Sequence, residues 1–424
     1  MSNPDHHTKS NGDEPLIVVE DLKTHYPITE GWLRRETGRI RAVDGVSFTI
    51  NRGEVFGLVG ESGCGKSTTA ESILRLEEPT AGTVQFDGQA ITELTGQALR
   101  SFRRRAQLVV QDPNEAFSPR MTIGEAVAEP LRLHGMDDVS RRRRLVEDLL
   151  ERVGLSGTDA DRYPHEFSGG EKQRISIARA LILNPDLIVA DEPTSALDNR
   201  VEADVLSLLD NIRREYGISV LLISHDLDIV RRFCDRLAVM YLGEIVEKGP
   251  VDTVLGSPAH PYTRVLLESV PSLDPSDQTL ARPLTNTVPD PSDPPKGCRF
   301  HPRCPEIIPP EHVTLDRDCW RSVAEFHFTL QMGELPETVT EGNGDAAAVR
   351  KAFDLPQPLS DDRAETAIET ASNAVADGNT ERANSVLKEA FPTVCEREVP
   401  PENSVDGKLA KCHLHNEGSD NDLL

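Results

Sequence analysis

The 424 residues carry 46 Lys and Arg against 71 Asp and Glu, a formal net charge of −25. A surface this acidic repels phosphate backbones, which excludes a general nucleic-acid binder. No apolar run reaches the roughly 20 residues needed to span a bilayer, and seven cysteines in so long a chain do not form a secreted disulfide framework. With no basic-then-apolar signal in MSNPDHHTKS, a reducing cytosol is expected.

Length alone suggests two or three domains, at roughly 150 residues each. Charge is uneven along the chain: residues 305–424 hold 24 acidic and 10 basic residues, and only 10 of the 46 cations are Lys. An acid excess with little Lys fits a protein that stays soluble in high salt, where screening relieves self-repulsion.

Residues 1–15 are polar and predicted to be disordered. From 16 to 268, short apolar runs alternate with segments of helical period. Strands are predicted at Leu16–Val19, Val55–Val59, Gln107–Val110, Leu187–Ala190 and Val220–Ile223. Helices are predicted at Lys66–Leu76, Ser168–Leu183, Arg200–Tyr216 and Leu227–Cys234. That alternation predicts an α/β fold with a mostly parallel sheet covered by helices. A helical insert at about 115–165 carries the run Arg141–Arg144, read as a solvated face. Pro and Asp crowd the end of 269–297, an extended linker. In the acidic stretch beyond it, Asp361–Asp377 and Thr380–Phe391 have helical composition and predict a hairpin.

Chemistry concentrates first at Gly60-Glu61-Ser62-Gly63-Cys64-Gly65-Lys66-Ser67-Thr68, between a strand and a helix. Glycines let successive backbone N–H groups face an anion, and the helix N-terminus adds positive charge. Lys66 would reach the β- and γ-phosphates and Ser67 would ligate Mg²⁺. Alone, this loop also fits kinases, GTPases and motors. A second apolar run, Leu187–Ala190, ends in Asp191 and Glu192, placing a metal-binding acid and a general base beside the loop. Between them, Ser168 is a good N-cap, with Gly169 and Gly170 opening a second phosphate-binding helix start.

In this order the motifs resemble the ATP-binding cassette (ABC) ATPase family over about residues 15–268. The resemblance implies a P-loop cassette with a RecA-like parallel core, an antiparallel β part and a helical subdomain. It implies ATP and Mg²⁺, with Gln111 and Asp191 joining Ser67 at the metal. Glu192, His225, Lys66 and Gln111 serve hydrolysis, and Tyr26 stacks on adenine although the stretch 28–42 is inserted between it and Lys66. Ser195–Asp198 matches the D-loop. The family's signature, here Ser168-Gly169-Gly170, faces ATP held by a partner subunit. Phe167 and Glu171 replace the Leu and Gln often found at its ends.

Further runs resemble the oligopeptide/dipeptide/nickel importer branch, and within it the F-type ATPase subunit: Tyr163–Gly170, Gln111–Thr122 and His260–Pro271. The resemblance implies a subunit on the cytoplasmic face of a membrane. It would pair with a second ATPase, identical or different, beneath two permeases fed by an extracellular solute-binding protein. Peptide is the implied solute, with nickel or sugar, or a soluble non-transport ABC ATPase, as alternatives. Cys298 and Cys304 begin a cysteine motif of the same branch that resumes at Cys395 and Cys412, making 305–392 an acidic insertion within a 298–424 extension. Four thiolates suit a four-iron four-sulfur cluster or zinc. Cys234 and Cys319 are read as structural.

Overall fold

Two long strands open the fold. In the computed structural model, which describes residues 15–32, 35–195, 197–268, 282–340 and 345–416, β1 (Pro15–Glu30) pairs antiparallel with β2 (Arg35–Asn51) over nearly its whole length. The stretch 28–42 is therefore the outer part of a hairpin, which sequence periodicity did not reveal. The N-terminal segment expected to be disordered lies, up to residue 14, outside the described residues, as do 269–281 of the expected linker.

β3 (Val55–Val59) is buried throughout and runs into the glycine-rich loop and α1 (Lys66–Ile73). Fully burying each of its large apolar side chains contributes roughly 1.5–3 kcal/mol. β4 (Ala81–Phe86) and β5 (Gln89–Ala90) complete an antiparallel sheet ordered β2-β1-β4-β5. The chain continues through α2 (Gly96–Arg105) and β6 (Ala106–Val109). Next come α3 (Ile123–Leu133), α4 (Val139–Arg152) and α5 (Gly169–Leu181). β7 (Leu187–Asp191), α6 (Asn199–Tyr216), β8 (Ser219–Ser224), α7 (Leu227–Phe233) and β9 (Arg236–Tyr241) follow. β9, β3, β8, β7 and β6 lie side by side in that order, all parallel.

One apolar core joins the two sheets, with Phe48 of β2 stacked on Phe56 of β3 at 5.0 Å. A separate core, including Ile123, Val127, Val146, Leu150 and Phe167, holds the helical part together. Thr122 and Glu125 form a capping box at the start of α3: each side chain accepts the other's backbone N–H.

β10 (Glu244–Pro250) carries the chain from this first unit into a second, comprising Val246–Lys248 and the chain from Thr253 onward. The second unit contains most of α8 (Val251–Gly256) and all of α9 (Pro261–Glu268). α10 (Arg317–Met332), α11 (Glu337–Thr340), α12 (Ala346–Ala352), α13 (Asp362–Ala376), α14 (Thr380–Ala390) and α15 (Val394–Arg397) follow. β11 (Glu402–Val405) and β12 (Lys408–Lys411) form a closing hairpin, and β12 pairs with β10 at Glu247 and Lys248. The predicted helical hairpin is α13 and α14. The long helix α10, absent from the sequence reading, packs Trp320 against Phe391 at 5.9 Å.

Candidate nucleotide site and cysteine cavity

Backbone geometry explains the glycines of the phosphate loop. Gly60 and Gly65 hold φ of 154° and 107°, and a Cβ would strike the Met240 carbonyl at the first and the Ala42 carbonyl at the second. Cys64 is buried, and burial pushes its thiol up to about 11, so it packs as a neutral thiol. Lys66 is buried at the head of α1. Its Nζ donates to the carbonyls of Gly60 (2.8 Å) and Glu61 (3.0 Å), which holds the ammonium against the loop.

The acidic end of β7 faces the loop. The Asp191 carboxyl lies within the influence of the Ser67 hydroxyl, and its Oδ1 is buried without a partner. Burial holds the Asp191 carboxyl above the ordinary carboxylate range; the Ser67 hydroxyl opposes this, Glu192 reinforces it and Lys66 opposes it. An orphaned buried carboxylate oxygen beside a serine hydroxyl suits Mg²⁺, a hard cation that prefers oxygen ligands.

Glu192 has a left-handed φ of 44°, an unfavourable conformation for a glutamate, at the turn after β7. Its carboxylate accepts from Gln111 Nε2 at 2.9 Å and lies 3.1 Å from His225 Nδ1. Residues 111, 192 and 225 thus converge across three strand ends. The backbone of Glu192 is tied to β8 by its N–H to Ile223 O at 3.0 Å. Tyr26 is half-buried on β1, and burial raises its phenol above the ordinary range while the nearby Thr68 side chain opposes this. Despite the long hairpin, the aromatic reaches the loop.

The second helix start stands apart. Ser168 caps α5 in a capping box whose third member is Glu171: the carboxylate accepts from Ser168 N at 2.8 Å and Oγ at 2.7 Å. These bonds hold Glu171 below the ordinary carboxylate range. Its carboxylate thus orders the serine, a role legible in the spacing Ser-x-x-Glu but not drawn from the sequence. Phe167 is buried under the Arg162 guanidinium, 4.3 Å above its ring. Gly169 and Gly170 face Leu197 and Val201, and a Cβ on Gly170 would collide with Val201. Asp198 caps α6, accepting from Arg200 and Val201 N–H groups. Ala196 lies outside the described residues. Among the described residues, no hydrogen bond or ion pair joins Ser168, Gly169 or Gly170 to the phosphate loop.

Three regions match family models: "ABC transporter" over residues 43–195, "Oligopeptide/dipeptide transporter, C-terminal region" over 246–309, and a domain of unknown function over 317–408. A probable peptide ABC transporter ATP-binding protein of Sinorhizobium fredii is 49% identical over 297 residues, covering 70% of this chain and 84% of the relative. The oligopeptide transport ATP-binding protein AppF of Bacillus subtilis is 46% identical over 299 residues, covering 70% and 91%. The chain belongs to the ABC transporter ATP-binding family. Among solved structures, the post-hydrolysis dimer of the ATP-binding cassette MJ0796, bound to ADP and phosphate, matches with a TM-score of 0.50 at 31% identity. That match covers 55% of this chain and 98% of the cassette. The chain is accordingly an ABC ATPase, using ATP and Mg²⁺, and among its described residues no helix is long and apolar enough to cross a membrane.

In the second unit of this ABC ATPase, residues 298 and 395 meet although the insertion separates them in sequence. Cys298 N donates to Cys395 O at 2.8 Å, and a Cβ on Gly297 would collide with that same carbonyl. Cys298, Cys304, Cys395 and Cys412 line one small cavity together with His260 and His301. Burial pushes Cys395 up to about 11 and Cys412 to about 12. Cys304 is likewise raised well above the ordinary thiol range, by burial first and then by Cys395, Cys412 and Cys298. His260 Nδ1 accepts from Tyr262 N–H at 3.0 Å, which places the proton on Nε2, and that atom is buried without a partner. A buried Glu247 fixes this segment by accepting from the N–H groups of Ala259 (2.8 Å) and His260 (2.9 Å). Neither histidine nor Glu247 was singled out for this site from the sequence. Among the described residues, no group of three or more His, Cys, Asp and Glu is arranged to hold a single metal ion.

Proposed function

We propose that the chain is the ATP-hydrolysing subunit of a peptide importer, acting at the cytoplasmic face of the membrane. It would bind ATP through Gly60–Thr68, with Tyr26 on the adenine, and hold Mg²⁺ through Ser67, Asp191 and Gln111. Phosphoryl transfer to water needs positioning and charge stabilisation more than covalent chemistry. Glu192 would polarise the attacking water, Gln111 and His225 would orient the Glu192 carboxylate, and Lys66 would bind the transferred phosphate. Mg²⁺, when bound, neutralises phosphate charge.

Convergence of Gln111, Glu192 and His225 on one carboxylate beside an orphaned Asp191 oxygen carries this reading. The donors of Ser168, Gly169 and Gly170 would come from a second ATPase subunit, identical or different, so that ATP binding closes the pair and hydrolysis releases it. Their helix start is preformed by Glu171 and by the close pack of Gly170 on Val201. Relatives named for peptide and oligopeptide transport support the substrate class, with two permeases and an external binding protein as companions. A groove of about 740 Å³ lined by residues including Met121, Gly124, Ala128, Arg132 and Val139 suits a docking permease segment. On this reading, 16–268 is the ATPase, 269–297 the linker and 298–424 the extension.

In the extension, four crowded thiols and an orphaned imidazole N–H fit a four-iron four-sulfur cluster held by Cys298, Cys304, Cys395 and Cys412. The iron charge would offset thiolate repulsion in the buried site. Iron and acid-labile sulfide measured on anaerobically prepared protein test this: about four of each per chain are expected, whereas stoichiometric zinc without sulfide contradicts it. For the ATPase itself, Glu192→Gln should bind ATP but turn it over about 10²–10⁴-fold more slowly. Undiminished phosphate release would remove Glu192 from the base role.

A further inference from the structure

A second concavity in the first unit lies away from the nucleotide site. It is a cleft of about 420 Å³ between α2 and the C-terminal end of α3, lined by residues including Arg100, Arg104, Arg105, Arg132, Leu133 and His134. Arg105 is committed, at 2.7 Å to Asp87 and 2.5 Å to Asp186. Arg100, Arg104 and Arg132 are exposed and form no ion pair among the described residues, in a chain with 71 carboxylates. Elsewhere in the unit some guanidiniums, at 143, 152, 162, 179, 213 and 236, are matched to an acid, while others, such as Arg141 and Arg144, have no ion pair among the described residues. What sets Arg100, Arg104 and Arg132 apart is that they share one cleft.

Unmatched like charges around one cleft repel one another, and the pocket itself records this. His134 is held below the ordinary histidine range by burial, then by Arg104 and Arg100. Among the described residues, no acid lines the cleft. An anion entering it would relieve the repulsion. Guanidinium forks match phosphate oxygens in pairs, and several around a pocket of headgroup size make a phosphate site rather than a diffuse basic surface.

We propose that this cleft binds the phosphodiester headgroup of an anionic membrane lipid. Leu133, 61% exposed at the rim, supplies an apolar contact for the glycerol and acyl start. Arg132 lines both this cleft and the groove read above as the permease-docking site. The choice of a lipid as the phosphate's source therefore rests on that reading. The same groove carries Val139, 68% exposed, a second apolar residue beside the cleft. A net charge of −25 predicts general repulsion from anionic vesicles, so retention on them requires a local site.

The test uses the full chain with vesicles of phosphatidylglycerol and phosphatidylcholine against phosphatidylcholine alone, at low ionic strength. Wild type should sediment with the anionic vesicles only. Arg100→Gln/Arg104→Gln should weaken that binding about tenfold or more, while still binding ATP as wild type does. Arg141→Gln/Arg144→Gln, removing the same charge from α4, should retain binding within about twofold. Equal loss in both variants, or no sedimentation of wild type, would overturn the proposal. Calorimetric binding of inorganic phosphate without vesicle binding would overturn the lipid source. Co-purification with the permeases is read separately: its failure would count against the groove, while loss of vesicle binding in the Arg100/Arg104 variant alone supports the cleft.

Discussion

At the scale of single residues, the site works by holding charged groups in poses that nucleotide and metal can complete. Lys66 is tied to two loop carbonyls, and Lys66→Ala should weaken ATP binding at least tenfold; unchanged affinity in a fluorescent-nucleotide titration would count against the phosphate loop. Asp191 illustrates the pH consequence. Its folded carboxyl is raised mainly by burial, so ionising it costs stability as pH rises through that value. With Mg²⁺ held there as proposed, protons would compete with it over a higher pH range than at an ordinary aspartate. Mg²⁺-dependent nucleotide binding should accordingly fall on acidification before the carboxylates as a class protonate, and Asp191→Asn should flatten that profile. Glycine spacing and the Asp191–Glu192 pair were legible from the residues themselves, because an anion-binding loop and a strand ending in acids have local signatures, whereas His225 came only from the family resemblance. Glu171 was legible only as a departure from a pattern. Its meaning required seeing the carboxylate fold back onto Ser168.

Among elements, the caps and the close approaches decide which segments hold. Gly170→Val would force two β-branched side chains into one space, and α5 should shift from α6; overpacking of this kind costs about 1–3 kcal/mol. Thermal unfolding checks the cost, and ATP turnover should fall with it. In the extension, Asp361 caps α13, accepting from Arg363 and Ala364 N–H groups and from Thr314. Those bonds depress its carboxyl to about 2. The sign follows: the cap stabilises the extension above the ordinary aspartate range and is lost as pH falls toward 2. Asp361→Ala should lower the melting temperature at neutral pH, with the difference from wild type vanishing near pH 2; a gap that persists there would contradict the cap. Five predicted strands and four predicted helices of the ATPase matched because continuous apolar runs and helical period are local signals. The β1–β2 hairpin was missed because residues 28–42 are charged and largely exposed, so they lack the alternation that marks a strand. α10 was missed because it follows Pro- and acid-rich sequence, and its buried face, including Trp320, Phe326 and His327, mixes apolar and polar types.

For the whole molecule, charge and pairing set behaviour. With −25 on one chain, salt should raise thermal stability by screening self-repulsion, and no gain between low and roughly molar salt would remove the saline reading of the composition. Composition made the acidity plain, but it could not reveal that one cleft gathers Arg100, Arg104 and Arg132, without an ion pair among the described residues. In the proposed function everything turns on pairing: each chain would supply a phosphate loop with its metal acid and base, and a capped glycine helix start for another chain's nucleotide. The most direct measurement is sedimentation of the Glu192→Gln chain, alone and with its partner ATPase, with and without MgATP. MgATP should double the assembly, and Ser168→Arg should prevent it. An ATP-bound chain that stays single, or full ATP turnover by a monomer carrying Ser168→Arg, would contradict this pairing.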